Sequence, residues 1–315
     1  MRWTIGRRLH ARRARGSAKR VGLALVYHRI DALPGDERYE LVPALALGLF
    51  QAQLDHLRTT YDVVSPSRLL DATLDRRAGE SFPVTITFDD DLHSPVDVAA
   101  PALIRAGLPA AFFLCGAVAG ATSSFWWEDL QELVDHPDGE PLQLESLPEL
   151  DLASAARSTP YAIHEAAGMI ERLPPERRDA VAAELRARVR PRPRALTVTD
   201  IATLASAGFE IGFHTRRHYL LTTLDDAILR AALTEGRQEI DAAARQRLRM
   251  LAYPHGKADQ RVAEAARSAG YDYGFTASDA CVFPDTDALL LGRVEAQAVP
   301  IGYFARSLAA LLAAG

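Results

Sequence analysis

The chain has 315 residues, with 48% apolar and 24% charged side chains and a formal net charge of −5. It can bury the core of one large α/β domain or two smaller ones and reads as soluble and globular. No run of eighteen apolar residues offers a membrane-spanning helix, and two cysteines, Cys115 and Cys281, make no disulfide framework.

The first twenty residues carry eight basic side chains, from Arg2 to Arg20, and no acid. With −5 on the whole chain and +8 on this stretch, the remainder carries −13. A signal peptide follows its basic start with an apolar segment. Here basic residues recur up to Val21, and the next apolar run reads as a strand, so the expected compartment is cytoplasmic. Residues 1–20 read as a solvated tail that could touch an anionic membrane surface weakly. No nucleic-acid partner is expected. Every basic residue but Lys19 and Lys257 is Arg, and Asn is absent, which points to a base-composition bias rather than to selected arginines.

Beyond residue 20, short apolar runs alternate with amphipathic stretches, the pattern of βα units on a mainly parallel sheet. Strands are predicted at 21–28, 62–65, 84–90, 110–116, 209–214, 250–253, 271–276 and 289–294. Helices are predicted at 50–58, 67–77, 96–106, 225–245 and 259–269, with a last one over 301–315. Gly107, Gly208 and Gly270 are placed to stop helical stretches. Seven or eight units suggest a closed or partly closed barrel over 21–300, although an open doubly wound sheet shows the same alternation. Residues 117–196 interrupt it with Glu, Pro and helix formers. This stretch reads as an inserted helical subdomain or a surface elaboration. A helix is predicted at 181–189, and Arg190-Pro191-Arg192-Pro193 reads as a stiff connector.

Three stretches carry chemistry. Asp89 and Asp90 end the apolar run Val84-Thr85-Ile86-Thr87-Phe88. His214 and His218 follow Phe209-Glu210-Ile211-Gly212-Phe213 at a spacing that puts two imidazoles on one face of a helical turn. Leu251-Ala252-Tyr253-Pro254-His255-Gly256 follows the next strand. A carboxylate with two histidines makes a three-ligand divalent-metal set with a position open to water, suited to hydrolysis, and zinc is the expected metal. Taken singly, an Asp pair after a strand is usually a loop or cap, and a His pair at this spacing is more often surface or packing.

In this order the stretches resemble the polysaccharide deacetylase family, also called the NodB-homology or carbohydrate esterase family four group, over nearly the whole chain. The resemblance implies a distorted (β/α) barrel that removes N-acetyl groups from an amino sugar or glycoconjugate by attack of metal-bound water. It implies Asp89 as catalytic base and Asp90, His214 and His218 as metal ligands. It places Tyr253 and Pro254 beside the substrate and an oxyanion donor at the backbone near His255. The chain departs from the family at three points. Asp91 stands where Gly is usual. Ala252 stands where an Arg pairs with the catalytic Asp, and Arg293 on the last strand is the candidate replacement. No His follows His255, so the general acid is sought in His28 or His255. Trp126 and Trp127 are candidates to stack on a sugar face or to pack the insertion. Without an export signal, a small or lipid-linked N-acetyl amino sugar is the expected substrate. Two alternatives stand beside this reading: a hydrolase of the same fold acting on a non-sugar amide or imide, and a catalytically inactive carbohydrate-binding homologue.

Overall fold

The structure, a computed structural model, describes residues 17–116, 125–135, 143–150, 152, 159–189 and 196–315. Most of the basic tail, parts of the predicted insertion and the Arg190-Pro191-Arg192-Pro193 connector lie outside the described residues. No helix among the described residues is long and apolar enough to cross a membrane.

The described residues form ten strands: β1 (Leu23–Tyr27), β2 (Ile30–Asp31), β3 (Leu45–Ala46), β4 (Asp62–Val63), β5 (Pro83–Asp89), β6 (Ala111–Leu114), β7 (Glu210–Phe213), β8 (Met250–Ala252), β9 (Tyr273–Phe275) and β10 (Arg293–Glu295). Strands β2 and β3 form a separate two-stranded ribbon. The rest form one parallel sheet in the order β10-β1-β5-β6-β7-β8-β9, with β4 added at the start of β5. A parallel bridge between Phe275 and Leu291, two residues before β10, nearly closes the ring. The arrangement is the expected distorted (β/α) barrel rather than an open sheet.

Strand alternation sorts the side chains into two layers. Leu23, Leu25, Val84, Ile86, Phe88, Phe112, Ile211, Phe213 and Leu251 point outward and pack with Leu54, Leu57, Leu103, Ile201 and Val262 of the surrounding helices. Ala24, Ala111, Phe113, Met250, Ala252 and Phe275 form a smaller cluster inside the ring. The inner face of β5 carries Thr85, Thr87 and Asp89 between those outward apolar residues, so parity alone aims Asp89 into the barrel.

The predicted helices appear with shifted ends, Leu47–Thr60 and Gln260–Ser268 among them. Residues 225–245 form two helices instead of one, Asp226–Ala232 and Arg237–Ala244. They are broken at Gly236, whose φ of +83° takes the left-handed region that glycine adopts without strain. Thr197 and Asp200 make a reciprocal capping box that starts Val198–Ser206. Within the predicted insertion, Trp126–Asp135, Ala162–Glu171 and Pro175–Arg188 share a second core built on Leu130, Ile163, Ile170, Val181 and Leu185. Arg186 pairs with the buried Asp129 at 2.8 Å across it.

Gly212 in β7 gives Phe113 its place inside the ring. A Cβ there would lie 2.3 Å from the Phe113 ring and 3.2 Å from the Met250 carbonyl oxygen. Phe113 is fully buried against Phe275 and has nowhere to retreat. Gly212→Ala is expected to lower stability by about 1–3 kcal/mol, the usual effect of overpacking, as read by urea unfolding at constant m-value.

Candidate active site

The site begins at the C-terminal end of β5. Asp89 continues the inner face of that strand and meets Arg293, the first residue of β10. Arg293 Nη1 donates to Asp89 Oδ1 at 2.6 Å and Nη2 to Oδ2 at 2.7 Å, a bidentate pair. The guanidinium also donates to Thr87 Oγ1 at 3.1 Å and, through Nε, to the Thr276 carbonyl at 3.0 Å. At 1% exposure, Arg293 thus spends its donors on fixed acceptors from β5 and the end of β9. Burial alone would raise the Asp89 carboxyl. The charge and hydrogen bonds of Arg293, helped by His214, overcome it and bring the group down to about 2.

Strict alternation would turn Asp90 outward. Instead its φ of +72° breaks the strand and swings it to the same cavity. His214 follows β7, and its Nδ1 donates to the Ala252 carbonyl at 2.8 Å. That bond fixes the tautomer and leaves the Nε2 lone pair facing Asp90 Oδ1 at 3.7 Å. His218 Nε2 lies 3.9 Å from the same oxygen. Asp90, His214 and His218 offer ligand atoms all within 4.8 Å of one another, and they are the one such group among the described residues. The segment carrying both histidines is a turn and not a helix: Thr215 and His218 take φ of +59° and +49°, and the His218 N–H reaches back to the Thr215 carbonyl.

Electrostatics and hydrogen bonding at the cluster both fit a bound cation. Burial, with the charges of Asp89, Asp91 and Glu128, raises Asp90 well above the ordinary carboxyl value. Burial lowers His214 to about 4, and burial with neighbouring His255 and His214 lowers His218 well below the usual imidazole. Neutral imidazoles are what a divalent metal binds. Asp90 Oδ1 and His218 Nδ1 are buried without a hydrogen-bond partner, as a ligand oxygen awaiting its ion would be.

His255 follows β8 in a short 3-10 turn, its φ at +57°. Its ring packs edge-on against His218, centroids 4.6 Å apart, and its Nε2 lies 2.9 Å from Glu171 Oε1. His28, after β1, borders the same cleft of about 1350 Å³. Asp91 is fully buried and accepts a hydrogen bond from the Cys115 N–H at 2.6 Å. It therefore ties the β5 loop to β6 instead of facing solvent.

Four expectations need correction. Tyr253 is fully buried, and its hydroxyl donates to the Leu289 carbonyl at 2.8 Å. With Ala252 facing inward, the next residue must face the helical layer, and Pro254 is buried there too. Neither lines the cleft. Trp126 and Trp127 border the cleft but are only 8% exposed each. Phe125 stacks on Trp127 at 4.3 Å, and Trp127 packs on His218 at 4.7 Å. They offer no open face to a sugar and instead wall the metal-ligand loop.

Residues 193–274 match the family model of polysaccharide deacetylases. The match takes in His214, His218 and Tyr253–Gly256 but stops short of Asp89 and Arg293. Solved structures resemble the chain over almost its full length. Streptococcus pyogenes deacetylase PplD, solved with acetate, superposes at a TM-score of 0.59 with 15% identity, covering 93% of this chain and 98% of its own. IcaB from Ammonifex degensii gives 0.57 with 20% identity, covering 93% and 97%. A polysaccharide deacetylase from Bacillus cereus gives 0.58 with 16% identity, covering 91% and 69%. At such identities the likeness establishes a shared fold. No curated protein matches the sequence.

The Asp89–Arg293 pair has a direct consequence for pH. The folded value of about 2 lies below the ordinary 3.8. Asp89 therefore contributes stability above the unfolded value and loses it as pH falls through about 2. In metal-free protein this limb amounts to roughly 2 kcal/mol at 1.36 kcal/mol per pKa unit. Asp89→Asn should flatten it in urea titrations between pH 5 and pH 2. Arg293→Met, which strands a buried carboxylate, is expected to lower neutral-pH stability by about 3–5 kcal/mol.

Proposed function

We propose that the chain is a metal-dependent hydrolase that removes N-acetyl groups from an amino sugar or glycoconjugate. One observation carries this reading: an ionised carboxylate locked on a guanidinium stands beside a buried Asp–His–His cluster at the floor of a large cleft. A divalent cation held by Asp90, His214 and His218, zinc by the donor set, would polarise an acetyl carbonyl and lower the pKa of a water.

The protein's own groups divide the remaining work. Asp89 is ionised and held at both oxygens, so it accepts the water proton through a remaining lone pair. Its low proton affinity makes it a weak base, and it serves because the water it faces is acidified. Arg293 keeps it from drifting to the cation. His255, whose ring packs on His218, would give a proton to the leaving nitrogen, and His28 also borders the cleft. A cleft of about 1350 Å³ exceeds the roughly 300–1,000 Å³ typical of small-ligand pockets. It has space for a group attached to the acetylated ring. That supports a glycoconjugate, lipid-linked or otherwise, as the substrate class.

Two measurements test the division of roles. His214→Ala is expected to lose bound metal, because two protein ligands rarely hold it. Stoichiometric zinc in that variant by mass spectrometry would refute the ligand set. Asp89→Asn is expected to keep its metal while acetate release from methyl N-acetyl-β-glucosaminide falls by about 10²–10⁴-fold. Near-normal turnover would remove Asp89 from the role of base, and no release by the wild-type protein from this glycoside, chitin oligomers or any lipid-linked N-acetyl sugar would remove the deacetylase reading.

A further inference from the structure

The family-like motifs account for the Asp–His–His cluster and its neighbouring carboxylate but assign nothing to the helical insertion. Besides Trp126 and Trp127, two of its side chains reach the site. Glu171 ends the helix Ala162–Glu171, lines the cleft, and brings Oε1 within 2.9 Å of His255 Nε2. Arg178, on the helix Pro175–Arg188, is nearly fully buried, with Nη1 3.6 Å from the same Glu171 oxygen. Its Nη2 donates to the carbonyls of Arg217 and His218 at 3.0 Å each. One chain of contacts therefore runs from the metal-ligand loop through Arg178 and Glu171 to His255, and from His255 back to His218 by ring packing.

We propose that Glu171 is a positioning residue: the insertion uses it to hold the His255 ring beside the metal-ligand cluster, where that ring serves the leaving nitrogen. The inference rests on the deacetylase reading for what His255 does, and on geometry alone for where it is held. His255 sits on a three-residue turn with free rotation about two side-chain bonds. Its own backbone cannot set the ring angle. His218 packs on the ring from one side and Glu171 meets Nε2 from the insertion. The approach to Glu171 is an ion-pair contact without an aligned N–H···O bond. The carboxylate is kept in place from behind by Arg178, which is itself fixed by two backbone carbonyls. In the reaction the amide C–N bond breaks, its electron pair moves to nitrogen, and the proton that nitrogen gains comes from His255. The water supplies the oxygen of the acetate and its proton goes to Asp89. An amine cannot leave without that proton, whereas an aryl oxide can.

Leaving-group dependence reads the role directly. The zinc-loaded full chain and its Glu171→Ala and Glu171→Gln variants are assayed on methyl N-acetyl-β-glucosaminide and on 4-nitrophenyl acetate, with zinc content measured in each. For Glu171→Ala the ratio of amide to ester kcat is expected to fall about 10²-fold, the usual scale of general acid–base help, with KM little changed and zinc retained. Glu171→Gln, of the same shape and still offering an oxygen, is expected to recover part of the ratio. Equal losses on both substrates, or no loss on the amide, would overturn the proposal. A wild-type chain inactive on this amide, on chitin oligomers and on lipid-linked N-acetyl sugars would sink the deacetylase reading instead. The His255 ring in a crystal structure of zinc-loaded Glu171→Ala then decides the positioning. A ring displaced from His218 supports it, and a ring unmoved refutes it.

Discussion

A carboxylate inside a barrel cannot stay ionised without a cation at contact distance, and the Asp89–Arg293 pair is the contact on which this site is built. Desolvation pushes Asp89 toward its neutral form, and two short charge-assisted bonds reverse the outcome. Because Arg293 also binds Thr87 and the Thr276 carbonyl, it joins β5, β10 and the end of β9, next to the seam where the ring closes on one bridge. One side chain thus both balances the charge of the site and adds its bonds beside the closing seam of the fold. Neighbouring Asp90 has no such partner. Its raised proton affinity and unpartnered oxygen show that no protein cation serves it, which sets the two adjacent carboxylates in different electrostatic surroundings.

Backbone conformation carries as much of the site as the side chains do. Asp90, Thr215, His218 and His255 account for four of the seven non-glycine residues with positive φ among the described residues. Each such conformation costs about 1–3 kcal/mol, so the surrounding packing must over-determine it. Trp127 against His218, Arg178 on the carbonyls of the His214–His218 turn, and Asp91 on the Cys115 N–H are the contacts that do so. The strain lies where the strands end, because a pleated strand sends neighbours to opposite faces and this chemistry needs neighbours on one.

Local pattern made much of this legible in the sequence. The eight barrel strands stand out as apolar runs, and the Asp and His pairs sit directly after two of them. Arg293 could be picked out because a lone cation on the last strand had an acidic partner to find. Parity was harder to read. Tyr253 has the right neighbours in sequence and the wrong face, and only the inward Ala252 reveals it. The break at Gly236 was hidden by good helix formers on both sides. Glu171 and Arg178 carried no signal, since they belong to a segment without motif or repeat and gain meaning only when the insertion folds down on the His214–His218 turn. Trp126 and Trp127 stayed open between a sugar platform and packing of the insertion because aromatic pairs serve both for ligand contact and for core, and composition does not tell the two apart.

The spacing of the Asp89–Arg293 pair along the chain has a further consequence. Their contact joins residues 204 positions apart, so on a ribosome the carboxylate emerges long before its guanidinium. At roughly 5–20 residues per second, a nascent chain holds the end of β5 for about 10–40 s, and the histidine turn for about 4–15 s, with the barrel still open. Closing so long a loop is slow on topological grounds. The cluster of Asp90, His214 and His218 can therefore begin to take shape while the guanidinium that keeps Asp89 charged and fixed has yet to be translated, so the two neighbouring carboxylates acquire their surroundings at different times.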